Sequence, residues 1–316
     1  MGQPCIAKLQ HYVPRFLLRN FGTGKKDQLY VFDKLSGKCF KAAAHKVAAE
    51  NQFYDFDYKE YTLTLEPSLA QLESQAAKII RKLLNASNMQ ALSPEDRAML
   101  ARFFSVQMVR TKASRERWHH MGKLLADGIR RIAPDNSQEL IEKYVGPESN
   151  RNEEALRAVH FIQSAPENFA LHFLEKTWLL LKTNKKHAFC IGDHPLGMQN
   201  SIQKEFQGNI GLAVEGIEIY FPLDPENALA MWCPSHEANI RQGLVSGVKS
   251  SLERIVFAID TGCPLQYVPE NVINFNSLQI IYAERYVFSF SDDFVLARNM
   301  LRANPGLRTG PRYTAG

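Results

Sequence analysis

The stretch LEPSLAQLESQAAKIIRKLL spans residues 65–84 and decides the fold class of this 316-residue chain. Its apolar residues recur at spacings of three and four, from Leu69 through Ala76 to Leu83. This period places them on one buried face of an amphipathic helix. The stretch therefore predicts a long helix that packs against the rest of the protein along one side.

More helices are predicted on its C-terminal side. Ser93-Pro94-Glu95-Asp96 combines an N-cap serine, a proline in the first turn and acidic residues at the positive end of the helix dipole. The helix that begins there is expected to run to Arg110. Other helices are expected over residues 115–132, 153–162 and 166–181. Together these segments predict a central helical bundle.

Strands are predicted towards both ends of the chain. Residues 28–32 and 38–41 flank the turn Asp33-Lys-Leu-Ser-Gly37, a pattern typical of a β-hairpin. Further strands are expected over residues 188–192, 216–221, 229–232 and 284–289. Strands and helices do not alternate strictly, which argues against a doubly wound parallel sheet. The sequence thus predicts an α+β protein with a central helical bundle and a small mixed or antiparallel sheet, built from the N-terminal hairpin and the C-terminal strands.

Composition is that of an ordinary globular protein, with 45% hydrophobic and 22% charged residues. We expect one α+β domain over residues 1–300 and a loose C-terminal tail over 301–316. The net charge of +5 is compatible with a polyanionic partner but does not identify one. No apolar run is long enough to span a bilayer, so no membrane partner is expected. The five scattered cysteines contain no CxxC pair, which favours a reduced, cytoplasmic location.

The first candidate site residue is His11, in Gln10-His11-Tyr12-Val13-Pro14. Imidazole is the side chain that normally titrates near neutral pH. Arg15 and Arg19 follow one and two helical turns later, so all three side chains can share one side of the segment. Two guanidinium groups suit an anionic ligand and would lower the pKa of the imidazole. The alternative is a histidine that only bonds to the backbone.

A second candidate pair is Asp193 and His194, in the turn Cys190-Ile-Gly-Asp-His-Pro195. Carboxylates in loops at strand ends are common metal ligands and catalytic acids. The alternative is a turn in which Asp193 caps backbone amides. Both interpretations stay open on the sequence alone.

A third candidate is Glu73, which lies two helical turns from Glu66 and next to the apolar stripe of its helix. A carboxylate in that position needs a partner, because an unpaired buried charge is costly. Gln107 and Arg110 on the next predicted helix can supply one. Glu73 and Arg110 therefore form either a buried ion pair that holds two helices in register or part of a polar pocket with His11 and Asp193.

Polar and aromatic motifs are spread over most of the chain. In order, they are Gln10-His11-Tyr12-Val13-Pro14, the hairpin, Asn51-Gln52-Phe53-Tyr54, the Glu73 helix, Gln107-Met-Val-Arg110-Thr111, Trp178, the Asp193 turn, Phe221-Pro-Leu-Asp-Pro225 and Ala283-Glu-Arg285-Tyr286. In this combination the chain resembles a bacterial family called domain of unknown function 4238, over roughly residues 9 to 290. The resemblance implies that these motifs belong to one domain, and it brings no established activity. Gly192 departs from the family pattern, which usually has serine there.

Two functions are compatible with these residues. The first is an intracellular hydrolase of phosphodiesters or nucleotides, such as a metal-dependent nuclease in a bacterial defence or toxin setting. It would use His11, Glu73 and Asp193 as catalytic residues that hold a divalent metal ion or activate water, and Arg15, Gln107, Arg110 and His194 to bind the substrate. The second is a non-catalytic sensor or binding module for a small anionic ligand or a protein partner. A nucleic-acid-binding protein without chemistry is disfavoured, because no basic stripe with interleaved aromatic residues occurs.

Overall fold

A computed structural model describes residues 9–146, 151–202, 209–245 and 251–312 of the chain. The α-helices are α1 (Arg15–Asn20), α2 (Glu66–Ala86), α3 (Pro94–Val109), α4 (Lys112–Ile132), α5 (Ser137–Tyr144), α6 (Arg151–Leu174), α7 (Pro234–Val245), α8 (Ser251–Thr261), α9 (Pro269–Tyr282) and α10 (Val295–Ala303). The strands are β1 (Leu9–His11), β2 (Gln28–Asp33), β3 (Cys39–Ala43), β4 (Ala49–Asn51), β5 (Asp55–Tyr58), β6 (Tyr61–Thr64), β7 (Thr177–Lys182), β8 (Ile191–Gly192), β9 (Gly197–Asn200), β10 (Ile217–Pro222), β11 (Asn227–Trp232), β12 (Leu265–Gln266) and β13 (Tyr286–Ser289). The protein is therefore α+β, as the sequence predicts.

The helical layer is built around α2, α3 and α6. Helix α2 buries Leu69, Ala76, Ile80 and Leu83, which confirms the amphipathic face predicted for it. Helix α3 begins with a complete capping box, in which the Ser93 hydroxyl accepts from the Asp96 amide at 3.2 Å and Asp96 Oδ2 accepts from the Ser93 amide at 3.1 Å. Its aromatic residues pack against α6 and the adjacent sheet, as in the 5.9 Å contact between the ring centroids of Phe104 and Phe173.

A five-stranded sheet, in the order β12-β7-β11-β10-β9, covers this layer. All its pairs are antiparallel except β12 with β7. Alternate residues of β10 face opposite sides, since Ile219 packs in the helical core and Tyr220 packs in a second core with residues of α8 and α9. The sheet is thus buried on both faces by apolar side chains.

A four-stranded antiparallel sheet, in the order β3-β2-β13-β8, joins the two ends of the chain. The N-terminal hairpin supplies β2 and β3, and β13 pairs with β2 so that Val287 lies opposite Phe32. On its other side Val287 lies opposite Gly192 of β8. The predicted pairing of the N-terminal hairpin with C-terminal strands is confirmed.

Three regions differ from the prediction. Of the strand expected over residues 188–192, only Ile191–Gly192 form a strand, β8. The helix expected over residues 166–181 is wrong in its second half, because α6 continues through Pro166 and ends at Leu174, and residues 177–182 form β7. Part of the expected loose tail is ordered: Leu301 is buried in α10, and the Arg312 guanidinium forms a bidentate pair with Glu284 at 2.6 and 2.9 Å. Residues 313–316 lie outside the described residues. Within the described part of the chain, no helix combines the length and apolarity needed to cross a membrane.

Candidate functional site

The Gln10-His11-Tyr12 segment begins in β1, which pairs with β4 so that Gln10 lies opposite Glu50. The side-chain amide of Gln10 is fully buried, and both its nitrogen and its oxygen form hydrogen bonds. Its Nε2 donates to Asp55 Oδ1 at 2.6 Å, and its Oε1 accepts from the Tyr54 amide at 2.5 Å. Gln10 thus anchors β1 to the following loops, and this fixes the positions of the two residues after it.

Glu73, Gln107 and Arg110 form one connected group. Arg110 is 1% exposed, and its Nη2 donates to Glu73 Oε1 at 2.7 Å. The Arg110 Nε donates to Gln107 Oε1 at 2.8 Å, and Gln107 Nε2 donates to the carbonyl of Tyr12 at 2.9 Å. The expected Glu73–Arg110 ion pair is therefore present, and it links α2 and α3 to the N-terminal segment.

His11 is half-buried beside this group. Burial is the main cause that lowers the pKa of its imidazole, and the nearby Arg15 and Arg110 charges lower it further against the raising effect of the Ala44 and His45 carbonyls. The predicted neutral imidazole agrees with that direction. Its Nε2 is buried and has no hydrogen-bond partner among the described residues. Arg15 itself is exposed on the first turn of α1.

Asp193 is held by backbone amides. It is 1% exposed, and its carboxylate accepts from the amides of Glu284, Arg285 and Tyr286 at 2.6 to 2.9 Å. Burial raises the pKa of Asp193 to about 6, against the lowering by these amides and by the buried Lys34. These contacts correspond to the amide-capping alternative for Asp193.

His194 is fully buried between two polar partners. Its Nδ1 lies 2.6 Å from Thr111 Oγ1, and its Nε2 lies 3.1 Å from Arg117 Nη2. Burial, followed by the Arg117 charge, lowers the pKa of His194 well below its usual value. A neutral imidazole here connects the turn after β8 to the start of α4.

Packing explains why residue 192 is glycine where the family usually has serine. A Cβ atom at this position would lie 2.7 Å from the carbonyl oxygen of Gln279 in α9. The backbone amide of Gly192 also donates to Gln279 Oε1 at 3.0 Å. The close approach of α9 therefore favours glycine over serine in this chain.

Four of the seven residues predicted for the site meet at the junction between α3 and α4, whereas Asp193 is bound by residues 284–286 and Arg15 is exposed on α1. Glu73 and Gln107 contact Arg110 at the end of α3, and His194 contacts Thr111, the next residue. None of the seven lines either of the two cavities described below. The described residues also contain no group of three or more His, Cys, Asp and Glu side chains placed to hold a metal ion.

A cavity of about 250 Å³, here called the Tyr12 pocket, lies next to this junction. Its polar lining consists of Tyr12, Lys46, Glu50, Lys112, Arg285 and Tyr286, and its apolar lining comes from β2, β3 and residues 47–49. The three cations were not among the residues predicted for the site. A signal existed for two of them, because Lys112 follows the Arg110-Thr111 motif and Arg285 belongs to the Ala283–Tyr286 motif.

The charges around the Tyr12 pocket are partly paired. Lys112 Nζ lies 2.6 Å from Glu50 Oε1, and the Arg285 guanidinium binds Asp33 through two hydrogen bonds of 2.9 and 3.2 Å. Lys46 is exposed and takes part in none of the ion pairs found between described residues. With Lys112 paired to Glu50 and Arg285 paired to Asp33, Lys46 leaves the pocket with one positive charge in excess.

Comparisons with known proteins give one finding about relationship. Neither the curated proteins nor the solved structures include a match to the chain. A family model does match, and it covers residues 9–293, which include every motif and both cavities described for the chain. The chain therefore belongs to the family described as protein of unknown function (DUF4238).

Proposed function

We propose that the protein is a non-catalytic binding module, and that the Tyr12 pocket takes a small anionic ligand with a phosphate or carboxylate group. The observation that carries this proposal is the convergence of Lys46, Lys112 and Arg285, from three separate segments, on one cavity. Guanidinium and ammonium groups are the side chains that bind phosphate and carboxylate most strongly. The cavity is slightly smaller than typical ligand sites of about 300–1,000 Å³, which suits a small ligand.

Tyr12 provides a hydrogen-bond donor in the same cavity. Its side chain is 3% exposed, and burial together with the nearby Asp193 and Glu50 charges raises the pKa of its phenol. The phenol therefore keeps its proton at neutral pH. Because Tyr12 lines the cavity, its hydroxyl can donate to a bound anion.

The backbone beside the pocket is held in an uncommon conformation. Ala48, which lines the cavity, has φ +50°, and Gln52 at the other end of β4 has φ +53°. Left-handed backbone at non-glycine residues costs about 1–3 kcal/mol, and such residues cluster at ligand sites. The Ala48 carbonyl accepts from the Tyr12 amide at 2.9 Å, so this wall and Tyr12 hold fixed relative positions.

The proposal is tested by thermal shift and calorimetric titration with inorganic phosphate, citrate and adenosine monophosphate. We expect at least one of these anions to stabilise the protein, because binding to the native state raises its stability. Lys46→Ala should weaken that binding by roughly tenfold, and the effect should diminish at high salt.

The matched control is Lys38→Ala, which removes an exposed lysine that does not line the pocket. It should bind like the wild type. Equal affinity of the Lys46→Ala and Lys38→Ala variants would contradict the proposed site, and so would the absence of any anion-dependent shift.

A hydrolase of phosphodiesters or nucleotides is the second candidate function. Its support comes from His11, whose buried Nε2 has no hydrogen-bond partner among the described residues and whose lowered pKa keeps it in the form of a general base. Glu73 and Asp193 are already bound by Arg110 and by three backbone amides. Turnover of bis(p-nitrophenyl) phosphate or of nucleic acid, with and without added Mg²⁺ or Mn²⁺, tests this candidate. Activity lost in His11→Gln but kept in His45→Gln would support it, and no turnover by the wild type would refute it.

A further inference from the structure

A second cavity, here called the Glu218 pocket, lies on the opposite side of the five-stranded sheet from the helical bundle. Its volume is about 380 Å³. Strands β9, β10 and β11 form its floor, and residues of α8, α9 and the β12 segment form its walls. The volume falls within the range of about 300–1,000 Å³ that is usual for small-molecule sites.

The lining combines aromatic rings with amides. Trp232, Tyr220, Tyr267 and Phe275 supply the rings, all from the apolar core on this side of the sheet or packed against it. Aromatic side chains provide stacking surfaces for flat heterocycles. The pocket is therefore suited to a planar ring system.

Two chains of hydrogen bonds converge on the Glu218 carboxylate. In the first, Asn274 Nδ2 donates to Gln199 Oε1 at 3.1 Å, and Gln199 Nε2 donates to Glu218 Oε2 at 2.9 Å. In the second, Trp232 Nε1 donates to the Tyr220 hydroxyl at 3.3 Å, and that hydroxyl donates to Glu218 Oε2. Both chains end on the same carboxylate oxygen and fix the orientation of Glu218.

The other oxygen of Glu218 keeps acceptor capacity. The contact found for Oε1 is with His236 Nε2 at 3.7 Å, which is too long for a hydrogen bond, and that nitrogen lies 2.7 Å from the Gly216 carbonyl. A carboxylate accepts about four hydrogen bonds in total. The pocket thus presents an oriented acceptor beside aromatic rings, which suits a flat ligand with hydrogen-bond donors on its edge.

We propose that the Glu218 pocket binds a guanine-type base, as a nucleoside or nucleotide. Guanine carries adjacent N–H and NH₂ donors on one edge of a flat ring, which matches an oriented carboxylate beside aromatic surfaces. Adenine carries an acceptor nitrogen at the corresponding place, which a carboxylate repels. Arg254, an exposed cation of the lining, favours the phosphorylated form. This site is separate from the Tyr12 pocket and does not depend on it.

The test uses the intrinsic fluorescence of the full chain, because Trp232 lines the pocket. We expect guanosine to quench the fluorescence saturably, inosine to bind more weakly, since it lacks the 2-amino group, and adenosine weakest. Guanosine monophosphate should bind more tightly than guanosine, and Arg254→Ala should abolish that difference. Glu218→Gln should weaken guanosine binding by roughly tenfold or more, as expected for loss of a charge-assisted hydrogen bond.

Two further variants keep the test decisive if Glu218→Gln unfolds. Asn274→Ala removes an exposed side chain at the start of the first hydrogen-bond chain, and it should also weaken guanosine binding while the protein stays folded. Glu226→Gln, at a half-buried glutamate outside the cavity, is the matched control and should bind like the wild type. Adenosine binding as strongly as guanosine would overturn the assignment, as would wild-type affinity in Asn274→Ala or no response to any nucleoside.

Discussion

At the scale of single residues, the buried pair of Arg110 and Glu73 gives a prediction about stability. Glu73→Ala should destabilise the protein by about 3–5 kcal/mol, because it leaves a buried guanidinium without its counter-charge. The double variant Glu73→Leu/Arg110→Met should lose less than Glu73→Ala, since both charges are removed together. Urea denaturation measures both values. Arg130→Ala, which breaks an exposed pair with Asp127, is the control and should change stability little.

Asp193 gives a second prediction at this scale. Asp193→Asn should cost about 1–3 kcal/mol, because an amide offers one acceptor oxygen to the three backbone amides that the carboxylate now binds. The loss should appear in denaturant unfolding and should be absent in Asp292→Asn, an exposed control. A fully stable Asp193→Asn variant would contradict the capping role.

The pairing of Glu73 with Arg110 could be predicted from the sequence, because both lie beside apolar stripes of adjacent helices. An unpaired charge there would cost free energy of folding. It could not choose between the two roles of Asp193. The amides that bind this carboxylate come from residues 284–286, more than 90 positions away. The cations of the Tyr12 pocket were missed for the same reason, since three distant segments supply them.

Helix α3 allows the clearest prediction at the scale of elements. Ser93→Ala removes the side-chain half of the capping box and should destabilise the protein by about 0.5–2 kcal/mol. The measurement is the midpoint of urea unfolding. Ser68→Ala, an exposed position in the first turn of α2, should be neutral or slightly stabilising, because alanine has the higher helix propensity. Similar losses in the two variants would argue against a specific cap.

Elements with strong local signals were predicted well, and those that depend on distant pairing were not. The period of α2 and the cap of α3 act within the segment itself. The apolar run Trp178–Leu181 has no helical period and is as compatible with a buried strand, which it forms between β11 and β12. Helix α6 passes through Pro166, so proline did not end the helix there.

The pH dependence of stability belongs to the whole molecule, because groups in different regions oppose one another. Burial raises the pKa of Glu66 from 4.5 to about 6, so its contribution to stability is full below pH 4.5 and is lost as the pH rises through 6. The lowered pKa of His194 acts in the opposite sense, adding stability as the pH rises towards 6.5. Asp193, whose pKa burial also raises to about 6, acts in the same sense as Glu66, and His11, whose pKa is lowered, acts in the same sense as His194, so these slopes partly cancel between pH 4.5 and 6.

Glu66→Gln should change the pH dependence of the unfolding free energy. The variant should gain stability with rising pH more steeply than the wild type between pH 4.5 and 6, because one opposing group has been removed. Unfolding free energies from urea titrations at a series of pH values measure the slope. Glu60→Gln, at an exposed loop position, should follow the wild-type slope. Parallel curves for Glu66→Gln and the wild type would show that Glu66 titrates normally.

The antiparallel pairing of β2 with β13 has a consequence for how the chain folds as it leaves the ribosome. Residues 28–33 emerge early, yet their partner, residues 286–289, is synthesised some 250 positions later. Until then the hairpin exposes an unpaired edge, which is a template for wrong association. Contacts of such long range also slow folding. Completion of this sheet therefore has to wait until residues 286–289 have been synthesised, and the nascent hairpin keeps an unpaired edge until then.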